Sequence, residues 1–267
     1  MKTGFIGLGQ MGAAMAKHLV NPLVFDVRSE ATRPFERVAA SVAEVGEHCD
    51  VVSVVVFDDA QVREVVGELL TTAKPGTIVA IHSTISPGTA GELSVGTGGI
   101  EIVDAPITGG PMGAAEGALV VMAGGSEAAV GLCRERFAWA SRVVHAGPVG
   151  AGTRMKLAKN LITYAAFAAA GEAQRLAEAS GINLIELGNV VRQSDKVTGG
   201  PGAVMFRDST QIAAPGDPWH NILVHTRDLA EKDLAFALEL GRELGIELPI
   251  ADLALARIAD ALGVPHE

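Results

Sequence analysis

Two residues four positions apart, Lys156 and Asn160, are the ones best suited to do chemistry in this chain. They lie in Gly150-Ala-Gly-Thr-Arg-Met-Lys-Leu-Ala-Lys-Asn160, which follows a Gly147-Pro148 turn and leads into an Ala-rich stretch. On a helix that spacing puts both on one face, so a cation and an amide stand together on an otherwise apolar rod. An amine partly withdrawn from water gives up its proton more readily, which suits it to acid–base work. A solvated lysine on a linker helix is the plainer reading of the spacing, and the rest of the chain decides between the two.

A second constellation is Gly7-Leu8-Gly9-Gln10-Met11-Gly12. The preceding residues read as a short strand, the following ones as a helix, and 23–26 as a second strand. In that setting G-x-G-x-x-G is a dinucleotide fingerprint. Gly7 permits a tight turn, Gly9 lets backbone approach a pyrophosphate, and Gly12 lets helix and strand pack closely. The phosphates sit on the helix N-terminus, where N–H groups and the dipole attract anions. Asp26 closes the second strand, where an acid hydrogen-bonds the ribose 2′-OH and disfavours a 2′-phosphate, so NAD is the expected cofactor. Arg28, two residues on, is a guanidinium able to hold a 2′-phosphate and keeps NADP open.

Two further groups sit where strands should end. Ser83 and Thr84 follow an apolar run at 77–81, at the ligand edge of an open α/β sheet. Thr108-Gly109-Gly110 joins a hydroxyl to two residues that let bare backbone approach an anion. Turn and capping chemistry is the plainer reading of both. The seven histidines are scattered, and His220 and His225 are five apart, so no metal site is expected.

The elements that must position these residues alternate. Strands are expected at 3–8, 23–26, 51–56, 77–81, 101–104 and 142–146. The near-continuous apolar run at 51–56 is typical of a parallel strand covered on both faces. Helices are expected after the fingerprint, from Asp58-Asp59, and over 127–140. Beyond Gly152 the pattern is helical: a rod over 157–180, roughly 35 Å long, then 182–191, 226–240 and 249–262. The Gly-, Pro-, Asp- and Ser-rich stretch 194–218 reads as an irregular loop, long enough to suggest a lid. The expected architecture is therefore α/β. A Rossmann-type, mainly parallel sheet domain at 1–148 precedes an all-helical domain at 149–267 that begins with a long interdomain helix.

The composition bounds the partners. The chain has 267 residues, of which 48% are hydrophobic, and a net charge of −10. That charge argues against nucleic acid and anionic membranes. Cys49 and Cys133 are too few for a disulfide framework. The start carries no secretory pattern and no apolar run is long enough for a span, so a cytoplasmic setting is expected.

Taken together these residues resemble the β-hydroxyacid dehydrogenase family, which includes 3-hydroxyisobutyrate dehydrogenase and tartronate semialdehyde reductase. Four blocks carry the resemblance: Gly4 to Gly12; Asp104-Ala-Pro-Ile-Thr-Gly-Gly110 continuing to Gly117 and Gly124-Gly125; Gly150 to Lys156 with Asn160; and Lys232-Asp233-Leu234. The resemblance implies hydride transfer between NAD(P) and a short 3-hydroxy acid. It makes Lys156 the proton-transfer group. Thr108, Gly109, Gly110 and Asn160 become substrate ligands. Gly7, Leu8, Gly9, Gln10, Met11, Gly12, Asp26, Arg28, Thr84 and Lys232 become cofactor contacts. It further implies a small carboxylate substrate and a homodimer or homotetramer. The chain departs from the family where Thr108 replaces a serine, where Phe57-Asp58-Asp59 replaces a Leu-Pro loop, and where His225 replaces an aromatic; it also stops at Glu267, short of a common extension. The alternatives are a reductase of another small aldehyde, keto acid or imine on the same fold, and a non-catalytic dinucleotide binder. Lys156 counts against the imine reductase, and the Lys156–Asn160 pair against the non-catalytic binder.

Overall fold

The computed structural model describes residues 1–265 and divides into two units, Met1–Lys159 and the chain from Asn160 onward. The first unit is built on one sheet. Its strands are β1 (Thr3–Ile6), β2 (Leu23–Phe25), β3 (Arg37–Val38), β4 (Val51–Val54), β5 (Ile78–Ile81), β6 (Glu101–Asp104), β7 (Ile107–Thr108), β8 (Leu119–Gly124) and β9 (Ala140–Gly147). They lie in the order β3-β2-β1-β4-β5-β6-β8-β7, with β9 paired to β8. The first six pair with one another in parallel. Strand β8 runs antiparallel to β6 and β7 and parallel to β9. The order reverses at β1, so the crevice at its C-terminal end is where a doubly wound sheet binds its ligand.

Side chains alternate across this sheet, as a period of two requires. Phe5, Val51, Ile78, Ala80 and Val103 join one core with Met15, Cys133 and Trp139. Ile6, Val52, Val54, Val79, Ile81 and Ile102 join the other with Cys49, Val66 and Leu69. The covering helices are α1 (Gln10–Ala16), α2 (Ser29–Thr32), α3 (Val42–His48), α4 (Asp59–Thr72), α5 (Thr89–Leu93), α6 (Gly110–Ala115) and α7 (Glu127–Arg136). Three start on the side-chain caps their sequences offer: Ser41 accepts from the N–H of Glu44, Asp58 from Gln61, and Ser126 from Ala129.

Helix α8 (Ala151–Ala179) crosses the division between the units. After it come α9 (Leu184–Thr198), a 3-10 turn at Gly200–Gly202, α10 (His220–Leu244) and α11 (Pro249–Leu262); no strand occurs there among the described residues. The fold is thus α/β, with a mainly parallel N-terminal sheet, a long helix and a helical remainder. Ala213, Leu223, Ala259, Leu262 and Val264 form a small core in the second unit. Glu172 is buried on α8 and caps α11. Its carboxylate accepts the N–H groups of Ile250 at 2.8 Å and Ala251 at 3.0 Å.

Some boundaries differ from those the sequence predicts. The stretch 194–218 is not all loop, because α9 continues through Ser194, Asp195 and Thr198 and stops only where Gly199 turns left-handed at φ +88°. The irregular part is 203–219, steadied by the Phe206 and Trp219 rings, 4.5 Å apart. Helix α7 ends at Arg136, and residue 140 already belongs to β9. Helix α10 begins at His220, before the amphipathic stretch expected from the sequence.

Candidate active site

The three fingerprint glycines have three different reasons to be glycine. Gly7 follows β1 with φ +89°, and a Cβ there would collide with the carbonyl oxygen of Val55. A Cβ on Gly12 would collide with the carbonyl oxygen of Gly7. Gly9 has an ordinary backbone (φ −64°, ψ −169°), and nothing lies within 4 Å of where its Cβ would be. Neither strain nor packing inside the chain requires a glycine there, and its bare face borders open space at the start of α1. No side chain caps that helix. This cradle fits the phosphates of a dinucleotide.

Asp26 ties the loop down. Its side chain is only 6% exposed; Oδ2 accepts the N–H of Leu8 at 2.6 Å and Oδ1 that of Arg28 at 2.9 Å. The Arg28 guanidinium folds back onto the same carboxylate, Nε to Oδ1 at 3.1 Å. Burial pushes the Asp26 carboxyl up, but the Arg28 side chain and the N–H groups of Arg28 and Leu8 outweigh it, so it ionises below its ordinary range. Thr84 lies exposed just past β5. Its neighbour Ser83 latches two strand ends together, donating to the carbonyl of Val56 at 2.6 Å and accepting its N–H at 3.0 Å.

Thr108 ends β7, and Gly109 (φ +127°) and Gly110 (φ +64°) make the turn into α6, a conformation that favours glycine at both positions. Both glycines are exposed. Lys156, in the second turn of α8, reaches this turn: its Nζ donates to the carbonyl oxygen of Ile107 at 2.6 Å. The lysine is half-buried. Desolvation first, and the charge of Lys159 second, lower its pKa below the ordinary lysine range. The structure thus brings Lys156 beside the Thr108-Gly109-Gly110 turn, 49 residues away in sequence from Ile107.

The start of α8 is held by Asp104, a residue to which the sequence alone assigns no role. Fully buried at the end of β6, it accepts the N–H of Gly150 through Oδ1 and of Thr153 through Oδ2, both at 2.6 Å. Burial raises the Asp104 carboxyl, and the two N–H groups pull it back only in part. Gly150 takes φ +89°, while a Cβ on Gly152 would strike the carbonyl oxygen of Met122. His82, also unassigned by sequence, is fully buried, with Nδ1 against the Ala105 carbonyl at 2.8 Å and Nε2 against Ser53 Oγ at 3.1 Å. Burial lowers its pKa to about 4, so it is neutral. The only sequence hint of either role is an acid or a histidine at a strand end.

Asn160 and Lys232 belong to the second unit. Asn160 is half-buried, one helical turn beyond Lys156. Lys232 is exposed on α10 with its ammonium 3.3 Å from Asp233. A cavity of about 790 Å³ lies between α10 and α11, lined by residues such as Leu238, Gly241 and Leu248; none of the residues discussed above lines it.

Two family models match the chain. Residues 2–147 match the NAD-binding domain of 6-phosphogluconate dehydrogenase, and residues 150–263 match the NAD-binding domain of NADP-dependent 3-hydroxyisobutyrate dehydrogenase. The chain belongs to the β-hydroxyacid dehydrogenase family. It is an oxidoreductase of that family and uses NAD or NADP. It is 53% identical, over 99% of its length and 94% of the relative's, to an uncharacterized oxidoreductase of Mycobacterium tuberculosis. It is similar to an NAD-dependent L-serine dehydrogenase of Pseudomonas aeruginosa at 31% identity, over 94% of this chain and 89% of that one. A crystal structure of an oxidoreductase from Mycobacterium avium 104 superposes with a TM-score of 0.94 at 48% identity, covering 99% of both chains. As a β-hydroxyacid dehydrogenase the chain carries all four sequence blocks, and both its NAD(P)-binding fingerprint and its Lys156 lie in the first unit.

Proposed function

We propose that the protein is an NAD-preferring dehydrogenase of a short 3-hydroxy acid, interconverting a primary alcohol beside the carboxylate-bearing carbon with the semialdehyde. One observation carries the reading: the hydrogen bond from Lys156 to Ile107, which sets an ammonium with a lowered pKa against the turn Thr108-Gly109-Gly110. Gly7, Leu8, Gly9, Gln10, Met11 and Gly12 hold the pyrophosphate. Asp26 takes the ribose, Arg28 borders it, and Thr84 lines the sheet edge. Bound there, the nicotinamide supplies a hydride acceptor or donor. Lys156 takes the hydroxyl proton in oxidation and returns it to the carbonyl oxygen in reduction. Thr108 and the N–H groups of Gly109 and Gly110 bind the substrate carboxylate. Asn160 as an orienting amide and Lys232 as a neutralising cation enter from the family resemblance.

The substrate class follows from chemistry shared by the relatives. L-serine and 3-hydroxyisobutyrate both carry a hydroxymethyl group on the carbon bearing the carboxylate and differ in the remaining substituent, ammonium against methyl. We assign the small-acid class and leave that substituent to experiment. The test is to follow NADH formation with 3-hydroxyisobutyrate, L-serine and 3-hydroxypropionate beside lactate, a 2-hydroxy acid. Turnover of at least one 3-hydroxy acid with little of lactate is expected. Turnover of lactate alone, or of none of the four, would overturn the proposal.

The same reading makes the protein a cytoplasmic homodimer or homotetramer. Leu161, Tyr164 and Phe167 on α8 are 72%, 63% and 66% exposed. They form an apolar row that association would cover. No helix among the described residues is long and apolar enough to cross a membrane. Light scattering at the monomer mass would remove the oligomer from the proposal.

A further inference from the structure

Residues 104–107 grip α8 at two places. At one end the buried Asp104 carboxylate accepts the N–H groups of Gly150 and Thr153. At the other the Ile107 carbonyl accepts Lys156 Nζ. The residues between are themselves anchored. Ala105 donates its N–H to Ile81 at 2.7 Å, and the Pro106 carbonyl accepts the N–H of Met122 at 3.0 Å. The helix start has no slack against this segment, because the bare backbone of Gly152 lies against Asp104, Met122 and Gly124.

The first turn of a helix needs acceptors for its free N–H groups, and a carboxylate suits that end of the dipole. One oxygen would satisfy one of those groups and leave the helix free to turn about that bond. Here two oxygens of one planar, immobile group each take a different N–H, and two such bonds fix both the starting point of the helix and its rotation about its own axis. Lys156 leaves the helix one turn after Thr153, so that rotation decides where its side chain points.

We infer that Asp104 is a positioning residue for Lys156: its buried carboxylate sets the start and rotation of α8 and thereby aims Nζ at the turn 107–110. The inference rests on the reading of Lys156 as the proton-transfer group.

Asp104→Asn keeps the shape but leaves one acceptor facing two N–H groups. It should bind NADH with unchanged Kd, because the loop 7–12 is untouched. Its kcat, on whichever of the four acids the wild type turns over fastest, should fall at least about tenfold, within the range that proton transfer supplies, with KM changed less. In protein carrying ¹³Cε-lysine, the Lys156 signal, identified by its loss in Lys156→Arg, should titrate at higher pH than in the wild type. A merely structural cap would cost stability and leave that titration in place. The Asp104→Asn/Lys156→Ala double variant should be no slower than Lys156→Ala alone, since coupled residues are not additive. A folded Asp104→Asn protein with wild-type kcat and Lys156 titration overturns the inference, and so do additive losses in the double variant. Full activity in Lys156→Ala would instead overturn the proton-transfer reading, and the lysine titration would still decide the positioning. Should Asp104→Asn not accumulate folded, Asp104→Ser, which keeps one oxygen and a favoured cap residue, is read by the same measurements.

Discussion

The ammonium of Lys156 and the carbonyl oxygen of Ile107 meet at 2.6 Å although 49 residues separate them. The contact favours the charged form, while burial and the neighbouring charge of Lys159 work against it and prevail. The amine is therefore held beside the turn 107–110 and binds its proton less tightly than an ordinary lysine.

Replacing Lys156 by alanine should lower kcat by about 10²–10⁴, the usual worth of a positioned proton donor, and leave NADH binding intact. Lys156→Arg keeps the charge but not a removable proton, so it should recover little. The sign of the pH dependence follows. Oxidation needs the neutral amine, so its kcat rises with pH until Lys156 is deprotonated; reduction needs the ammonium and falls over the same range. Both limbs should sit below the ordinary lysine pKa. An arginine variant close to wild type would make Lys156 an electrostatic anchor only.

Gly9→Ala should fold like the wild type, because its backbone is ordinary and its Cβ meets nothing. If a pyrophosphate occupies that space, NADH Kd should rise about tenfold or more, each tenfold being about 1.4 kcal/mol. Gly7→Ala and Gly12→Ala, which create collisions inside the chain, should instead lower Tm. Thermal melts and fluorescence titration of the three variants separate the two classes; tight NADH binding by Gly9→Ala would move the phosphate elsewhere.

The wild type should prefer NAD over NADP in kcat/KM. Both oxygens of Asp26 are already engaged inside the chain, one of them anchoring Leu8. Asp26→Ala should therefore impair both cofactors rather than switch preference. Arg28→Ala, which removes an exposed cation, should affect NADP more than NAD. A clear NADP preference in the wild type would show that Arg28 outweighs Asp26.

His82 predicts an acid weakness. Its pKa is about 4 when folded against 6.5 ordinarily, so the folded state resists a proton that the unfolded chain accepts. Stability is full above about pH 6.5 and declines as pH falls toward 4, by on the order of 3 kcal/mol across the window. Urea unfolding of wild type and His82→Gln at pH 7.5 and pH 5 checks this. The wild type should lose about 2 kcal/mol more than the variant between the two values, and parallel losses would assign the acid sensitivity to other groups.

Local chemistry was legible in the sequence and distant chemistry was not. The fingerprint glycines, the strand at 51–54 and the final helix, whose bounds Pro249–Leu262 match the expected ones, announce themselves through neighbours in the chain. The end of α9 hid because Ser194, Asp195 and Thr198 are exposed helix residues that also suit loops; only the left-handed Gly199 marks the stop. The roles of Asp104 and His82 depend on partners 46–49 and 23–29 residues away, which no spacing rule reaches.

Cys49 and Cys133 lie in the two separate apolar layers, one on each side of the sheet. Burial pushes their thiols up to about 11 and about 12, so at neutral pH neither offers a thiolate to a reagent while the first unit is closed. The protein therefore carries a pair of native clocks, because thiol labelling must wait for each layer to open. Equal rates would mean that the two layers come apart together, and unequal rates would name the one that yields first.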